Sequence, residues 1–339
     1  MATASEIINQ MRALLVQANK ATKNGDINLT SAVATLIAGY GQGGGDIDAM
    51  ISGSITEITS QVESLRPYVF YCYDDIKNAN FPAAKTIGRY AFYSCYDLHT
   101  VSIPAATEIG DYAFYFCSML NSINCQVVTD IGKYAFHNCL SLFEIELPAV
   151  VNIGDYAFFN CEKLTTIDFS TAVSLGECAF NSCINLLSAD FPKVETVNTG
   201  TFNGCMRMAS INFPIATTIG SRAFYNCDAL TSVKLPEASE IGGSAFEGCA
   251  ALSIVDLPKA ATVKTYAFEN CAELTTVILR TGSVCTIDST AFKNTPIVSG
   301  TGYLYVPSAF VDSYKETYAE ADFANQFRAI EDYPAITGG

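Results

Sequence analysis

Phenylalanine recurs every 22 residues: Phe70, Phe92, Phe114, Phe136, Phe158, Phe180, Phe202, Phe224, Phe246 and Phe268. Phe292 follows after 24, because the segment RTGSVCTIDST carries two extra residues. Cysteine keeps the same period at Cys95, Cys117, Cys139, Cys161, Cys183, Cys205, Cys227, Cys249 and Cys271. A fixed period of roughly 20 to 50 residues means stacked like units. The length of 339 residues would by itself suggest about two domains. The period overrides that and predicts one solenoid of eleven units.

One unit, Ile87 to Pro104, reads IGRYAFYSCYDLHTVSIP. Its apolar positions are Ile87, Ala91, Phe92, Cys95, Leu98, Val101 and Ile103, and the next unit repeats them from Ile109 to Cys125. The ending Leu-x-x-Val-x-Ile alternates with period two, the mark of a short strand with one buried face. Pro104, Pro148, Pro192, Pro214, Pro236 and Pro258 close that strand, since proline has no N–H to donate. The Ile-Gly turn and the Ala-Phe segment then return the chain. Gly88, Gly110, Gly132, Gly154, Gly176, Gly220 and Gly242 are expected to hold a backbone conformation that a Cβ would penalise. Repetition gives a ladder of parallel strands about 4.8 Å apart.

Each unit buries its apolar face only against neighbours, so both ends need covers. At the start, Ile7, Ile8, Met11, Leu14, Leu15 and Ala18 fall at helical spacing, as do Leu29, Val33, Leu36 and Ile37. The glycine-rich link GQGGGD leads to ITEIT (Ile55 to Thr59), an imperfect first strand. At the other end YLYVP (Tyr303 to Pro307) is expected as the last strand, followed by helical stretches around Ser308 to Tyr318 and Glu320 to Ile330. The division is residues 1–45 as a helical cap or docking segment with its linker, 46–306 as the solenoid, and 307–339 as a helical cap.

Composition narrows function by exclusion. Lys+Arg number 19 and Asp+Glu 34, for a formal charge of −15, which repels phosphate backbones and argues against nucleic acid. There are two histidines, His99 and His137, too few for histidine-rich catalysis or zinc ligation. The uncharged run Ile27 to Gly45 is diluted by polar residues and glycines, so no membrane span is expected. The start of the chain lacks a basic region followed by an apolar block, so either it is not exported by that route or a leader lies outside it. GYGQGG (Gly39 to Gly44) has the spacing of a dinucleotide fingerprint, but a helical pattern precedes it and it reads as a linker.

The unit I-G-x-x-A-F-x-x-C-x-x-L-x-x-V-x-L-P resembles the BspA-type, or treponemal-type, leucine-rich repeat. The resemblance covers about Ile55 to Pro307 and extends to YVPSAFVDSYK. Departures are local: Tyr73 and Thr295 replace the cysteine, and Gln126, Ser170 and Arg280 the proline. The resemblance implies an α/β repeat fold, a right-handed leucine-rich-repeat solenoid with a parallel β-ladder and helical segments at both ends. It also implies recognition rather than a reaction, with no cofactor. The partner would be a protein or glycan on a host or bacterial surface. Bacterial adhesins and phage tail-associated proteins are the two settings it suggests, so a cell-surface or virion-associated location is favoured.

The nine-cysteine column reads as small buried hydrophobes, reduced and free of metal, because clustered C-x-x-C pairs are absent. Two outward strand columns flank the core positions. One runs Asn80, Ser102, Asn124, Glu146, Asp168, Asp190, Asn212, Lys234, Asp256, Ile278. In it Glu146, Asp168 and Asp190 would stack on consecutive rungs with Glu144 beside them. Like charges opposite one another are destabilising, so the cluster is either a docking site for a basic partner or divalent cation, or a solvated acidic face. On the returning side Tyr68, Tyr90, Tyr112, Tyr134 and Tyr156 form one column, with Tyr71, Tyr93, Tyr115, His137 and Phe159 in another. Later units turn polar at Gly200, Arg222, Ser244, Asn181, Asn203 and Glu247. Aromatic columns serve either as recognition anchors or as plain stacking. Glu144 and Glu146 lie on a flat strand face with no predicted cleft, so a hydrolase is the remote alternative and no enzyme is expected.

Overall fold

The computed structural model describes residues 57–333, and the structural statements below concern these residues. The helical patterns before Ile55 and the glycine-rich linker lie outside them. The chain winds through eleven rungs, each marked by one phenylalanine of the series from Phe70 to Phe292. Rung 3 is representative: a three-residue strand Thr100–Ser102, a two-residue strand Glu108–Ile109, then a turn carrying Ala113 and Phe114. The first strand forms because alternation puts Val101 inside and Thr100 and Ser102 outside. It pairs in parallel with its neighbours, Thr100 against Asn78 and Ser122, in strict 22-residue register.

The Ile-Gly segment is more than the turn expected from sequence. It forms a second parallel ladder on another side of the solenoid, with Ile109 between Ile87 and Ile131. The glycines after these isoleucines also have a different reason from the one anticipated. Their φ angles are ordinary, but a Cβ at Gly110 would stand 2.8 Å from the backbone nitrogen of Arg89, one rung below. Close approach between rungs excludes the side chain, and the Gly110 N–H donates to Ile87 O at 2.8 Å. Lys264 occupies the same position in rung 10 and keeps the bond to Ile241 O at 3.0 Å, so glycine is preferred there but not obligatory. In rung 7 Asn198 occupies it, and its side-chain Nδ2 takes over, donating to Leu175 O at 2.6 Å.

The interior is a set of stacked columns. The eleven phenylalanine rings stack 5.0–5.6 Å apart, nearly parallel above the first pair. The cysteine column runs beside them, fully buried. Each Sγ–H donates to the phenylalanine carbonyl of the rung below, as from Cys117 to Phe92 O at 3.0 Å. A small apolar side chain that can still satisfy an inward carbonyl is what this position needs. In rung 11 Thr295 stands in the column, and its hydroxyl donates to Phe292 O at 2.6 Å.

Both ladders are interrupted at the same level. The first-strand sheet ends at Thr166–Asp168 and restarts at Ser188–Asp190, while the second ends at Ser174–Leu175 and restarts at Thr196–Val197. The first ladder is interrupted again between Ser210–Asn212 and Ser232–Lys234.

The C-terminal end departs from expectation. Tyr303–Val306 is not the last strand, and Glu320 to Ile330 is not helical as a whole. Phe327–Ala329 within it is a strand that pairs in parallel with Leu304–Val306 and extends the first ladder. The expected helix around Ser308 to Tyr318 forms as a 3-10 turn, Ser308–Phe310, leading into the short α-helix Val311–Thr317, and single 3-10 turns at Ala324–Gln326 and Ile330–Asp332 flank the new strand. The Tyr314 hydroxyl accepts from Cys285 N at 2.8 Å, while the Tyr318 hydroxyl accepts from Ile287 N at 2.7 Å and donates to Cys285 O at 2.6 Å. These two tyrosines thus satisfy backbone groups at the open edge of the second ladder. Phe323 ends the phenylalanine stack by standing edge-on to Phe292, at 5.5 Å and 89°. Among the described residues no helix is long and apolar enough to cross a membrane.

Candidate recognition surfaces

On the first-strand face, Glu144, Glu146, Asp168 and Asp190 are all exposed. Glu146 and Asp168 stand directly opposite one another, and Glu144 faces Thr166. Asp190 does not join them as a paired rung, because the ladder is interrupted between Asp168 and Asp190. It belongs with the next segment, where its Oδ1 accepts from Asn212 Nδ2 at 2.8 Å. The column also does not face outward throughout: Ile278, opposite Tyr305, is only 3% exposed. None of the six ion pairs among the described residues involves Glu144, Glu146, Asp168 or Asp190. Nor do any three His, Cys, Asp or Glu side chains among those residues come together as a metal-ligating group. A cation reading of this cluster therefore gains no support.

The aromatic columns are built as the spacing suggests. Tyr68, Tyr90, Tyr112, Tyr134 and Tyr156 stack at 4.7–4.9 Å with planes within 14°. Tyr71, Tyr93, Tyr115, His137 and Phe159 stack beside them at 4.7–4.9 Å. The two columns touch through tilted pairs, such as Tyr90 and Tyr93 at 5.5 Å. All ten side chains are half-buried, each ring lying between its neighbours with an edge outward.

The sequence gives no warning that the first column sits in the left-handed region, with φ of 57° to 63° at all five tyrosines. That conformation costs a residue with a Cβ about 1–2 kcal/mol. In rung 7 the position is Gly200, also left-handed, as the backbone alone would prefer. Five consecutive tyrosines therefore occupy a place better suited to glycine, and stacking offsets the strain at about 0.5–1.5 kcal/mol per pair. In later rungs aromatics recur singly rather than vanish. Tyr225 lies under Arg222, and Tyr266 near the Lys293 ammonium.

Burial and hydrogen bonding tune these rings. Desolvation raises the hydroxyl pKa of Tyr112 and Tyr115, and that of Tyr93 to about 12. Tyr156 is raised to about 12, chiefly by its hydrogen bond with Cys178. All four stay protonated donors at neutral pH. Desolvation lowers His137 to about 4, and its Nδ1 is buried with no hydrogen-bond partner. A neutral ring stacks between Tyr115 and Phe159. Burial likewise raises the column thiols well above their ordinary range, as at Cys117, Cys139 and Cys161, and with them their resistance to ionisation.

One feature escaped the sequence reading. A groove of about 480 Å³ runs over the second ladder of the first rungs, with Thr86, Glu108, Asp130 and Asn152 among its lining residues. The signal was the polar residue before each Ile-Gly, legible only once that segment is known to be a strand. The groove contains none of Glu144, Glu146 or Asp168, so the carboxylates offered for a hydrolase do not line it.

Parallel ladders in 22-residue register around stacked phenylalanines define a leucine-rich-repeat solenoid. The chain matches the BspA type leucine rich repeat region over residues 50–151, 107–217 and 195–303, and it belongs to that family. Similar solved structures include a leucine-rich repeat protein from Bacteroides ovatus, 21% identical over 81% of this chain and 88% of that one, with a TM-score of 0.43. A leucine rich cell surface protein from Faecalibacterium prausnitzii is 20% identical over 68% and 89%, with a TM-score of 0.32. The leucine rich repeat protein of T. pallidum is 22% identical over 52% and 72%, with a TM-score of 0.37. No curated protein matches the chain significantly.

Proposed function

We propose that this protein is a non-enzymatic recognition protein of the adhesin kind, displayed at a bacterial surface, whose main contact surface is the double aromatic column of rungs 1 to 5. The observation that carries this is the tyrosine run at left-handed φ. Rungs 6 to 9 keep the left-handed backbone at this position without an aromatic, with Cys178, Gly200, Arg222 and Ser244, so the backbone itself does not call for tyrosine there. Rigid aromatic anchors with polar tips suit a binding face. The candidate contacts are Tyr90, Tyr112, Tyr134 and Tyr156.

A second surface has its own support. Glu144, Glu146 and Asp168 are exposed, mutually close and outside every ion pair among the described residues, which suits a basic partner. Asp190 would contribute from across the interruption. Binding of the full chain to bacterial and host cell surfaces, measured against salt, separates the two. Tyr112→Ala and Tyr134→Ala are expected to lose binding with little salt dependence. Glu146→Lys and Asp168→Lys should weaken only a salt-sensitive component. If all four variants bind like wild type, neither surface is the site. Surface labelling of intact cells tests display, and recovery of the protein only with phage particles would overturn it.

A further inference from the structure

The step from rung 6 to rung 7 is held together on one side only. On the turn side Cys178 N donates to Thr199 O at 2.9 Å, Phe180 N to Thr201 O at 2.8 Å and Ser182 N to Asn203 O at 2.7 Å. The next corner is also closed, with Arg207 N donating to Ile184 O at 3.2 Å. On the strand side both ladders are broken at this level. In the steps below and above, Val173 N donates to Val151 O and Thr217 N to Glu195 O, both at 2.9 Å. Among the described residues Glu195 N makes no such bond to Val173 O, and the second ladder is bridged here by the Asn198 side-chain amide on Leu175 O.

Core packing explains the gap. Phe169 and Phe191 occupy, on consecutive rungs, the place after the first strand that holds Leu147 in rung 5 and Leu235 in rung 9. Their rings meet edge to face at 6.4 Å and 65°. That exceeds the strand spacing of about 4.8 Å, so the ladders beside them cannot close. Phe191 and Phe213 stack instead, at 5.6 Å and 12°, and both ladders run unbroken between their rungs. Leu147 below Phe169 is also accommodated with both ladders continuous. On the turn side of the open step Phe180 and Phe202 keep 5.3 Å and 3°. There is room for movement too. Ala189 is the strand centre of rung 7, and its neighbours Ile167 and Ile211 are the only first-strand centres of rungs 1 to 11 that are partly exposed.

We propose that this step is a hinge: rungs 1 to 6 bend against rungs 7 to 11 about the bonded turn side, opening and closing the strand side. At a continuous step such a bend would break ladder bonds, whereas here the ladders are already parted. The interruption between rungs 8 and 9 is not equivalent, because the second ladder stays paired there. The hinge divides one candidate surface and spares the other. Glu146 and Asp168 lie on one block and Asp190 on the other, so bending changes the outline of the acidic face. Tyr68 to Tyr156 lie wholly on the first block and keep their spacing.

The test is the distance distribution between paired spin labels on the full chain, with Cys72→Ser and Cys178→Ser so that only introduced thiols are accessible. One pair, Thr107→Cys with Thr217→Cys, spans the step on the strand side. The other, Tyr96→Cys with Met206→Cys, spans it at the closed corner beyond the turn. Each pair lies five rungs apart, about 24 Å. The first pair is expected to give the broader distribution. Phe169→Leu places here the leucine-below-phenylalanine packing that keeps both ladders continuous one step earlier. With it the first pair should shorten and narrow to match the second. Exchange of the Glu195 amide should then slow about tenfold, the protection of one recovered hydrogen bond. Equal widths for the two pairs without Phe169→Leu would mean a fixed bend and would overturn the proposal. So would a strand-side distribution that Phe169→Leu leaves unchanged. Should Phe169→Leu not fold, the comparison of the two pairs in the unsubstituted core decides by itself.

Discussion

His137 takes a tyrosine's place in the second aromatic column, and its neutral ring is what the stack accommodates. Folding lowers its pKa from 6.5 to about 4, so below the unfolded value the unfolded chain binds the proton and the folded one does not. The contribution of this group to stability is therefore complete above pH 6.5 and is lost progressively as pH falls towards 4. His137→Phe should narrow the gap in thermal midpoint between pH 7.5 and pH 5 relative to wild type, as read by circular dichroism. The thiols make a second residue-scale prediction. Eleven of the thirteen cysteines are buried, and only Cys72 and Cys178 are partly accessible. A thiol reagent should therefore modify two sites in the native protein and all thirteen after unfolding without reductant. Recovery of fewer on unfolding would mean bridged pairs, against the reduced column.

At the scale of the element, the short strands depend on contacts that run from rung to rung. Asn198 shows this most clearly: its amide replaces the N–H that glycine or lysine donates in other rungs, and the second ladder is interrupted beside it. Asn198→Ala would leave Leu175 O without that donor, and should cost about 1 kcal/mol in chemical denaturation. A glycine there is the informative companion, since it can also move closer to the rung below. The first ladder was legible because three residues with a buried centre already alternate. The second was not, because two residues are too few to show a period, and the glycine after them suggested a turn. The aromatic columns were legible as columns. Their left-handed φ was not, since nothing about a tyrosine marks it for that region.

For the whole molecule, stability is a sum of rung and interface terms, so the ends and the interruptions are where it is weakest. Phe323 closes the C-terminal end of the phenylalanine stack, and Tyr314 and Tyr318 close the second ladder. Phe323→Ala removes a fully buried ring, a change that typically costs about 3–5 kcal/mol in a core. In a solenoid the loss should be local. Hydrogen exchange is expected to quicken in rungs 10 and 11 and to stay unchanged in rungs 3 to 5. Uniform acceleration along the chain would mean that the rungs unfold as one unit.

The sequence alone determined the repeat, the core and its buried cysteines, and the pairing partner of nearly every first-ladder strand. The reason is that in a linear stack equal positions of successive units become neighbours, so a 22-residue period is already a map of contacts. Tertiary structure decided the rest: the second ladder, the strand Phe327–Ala329, the interruptions beside Asp190 and Asn198, and the left-handed backbone beneath the tyrosines. Each of these rests on backbone groups of one rung meeting those of the next, an interaction that leaves little mark on residue identity.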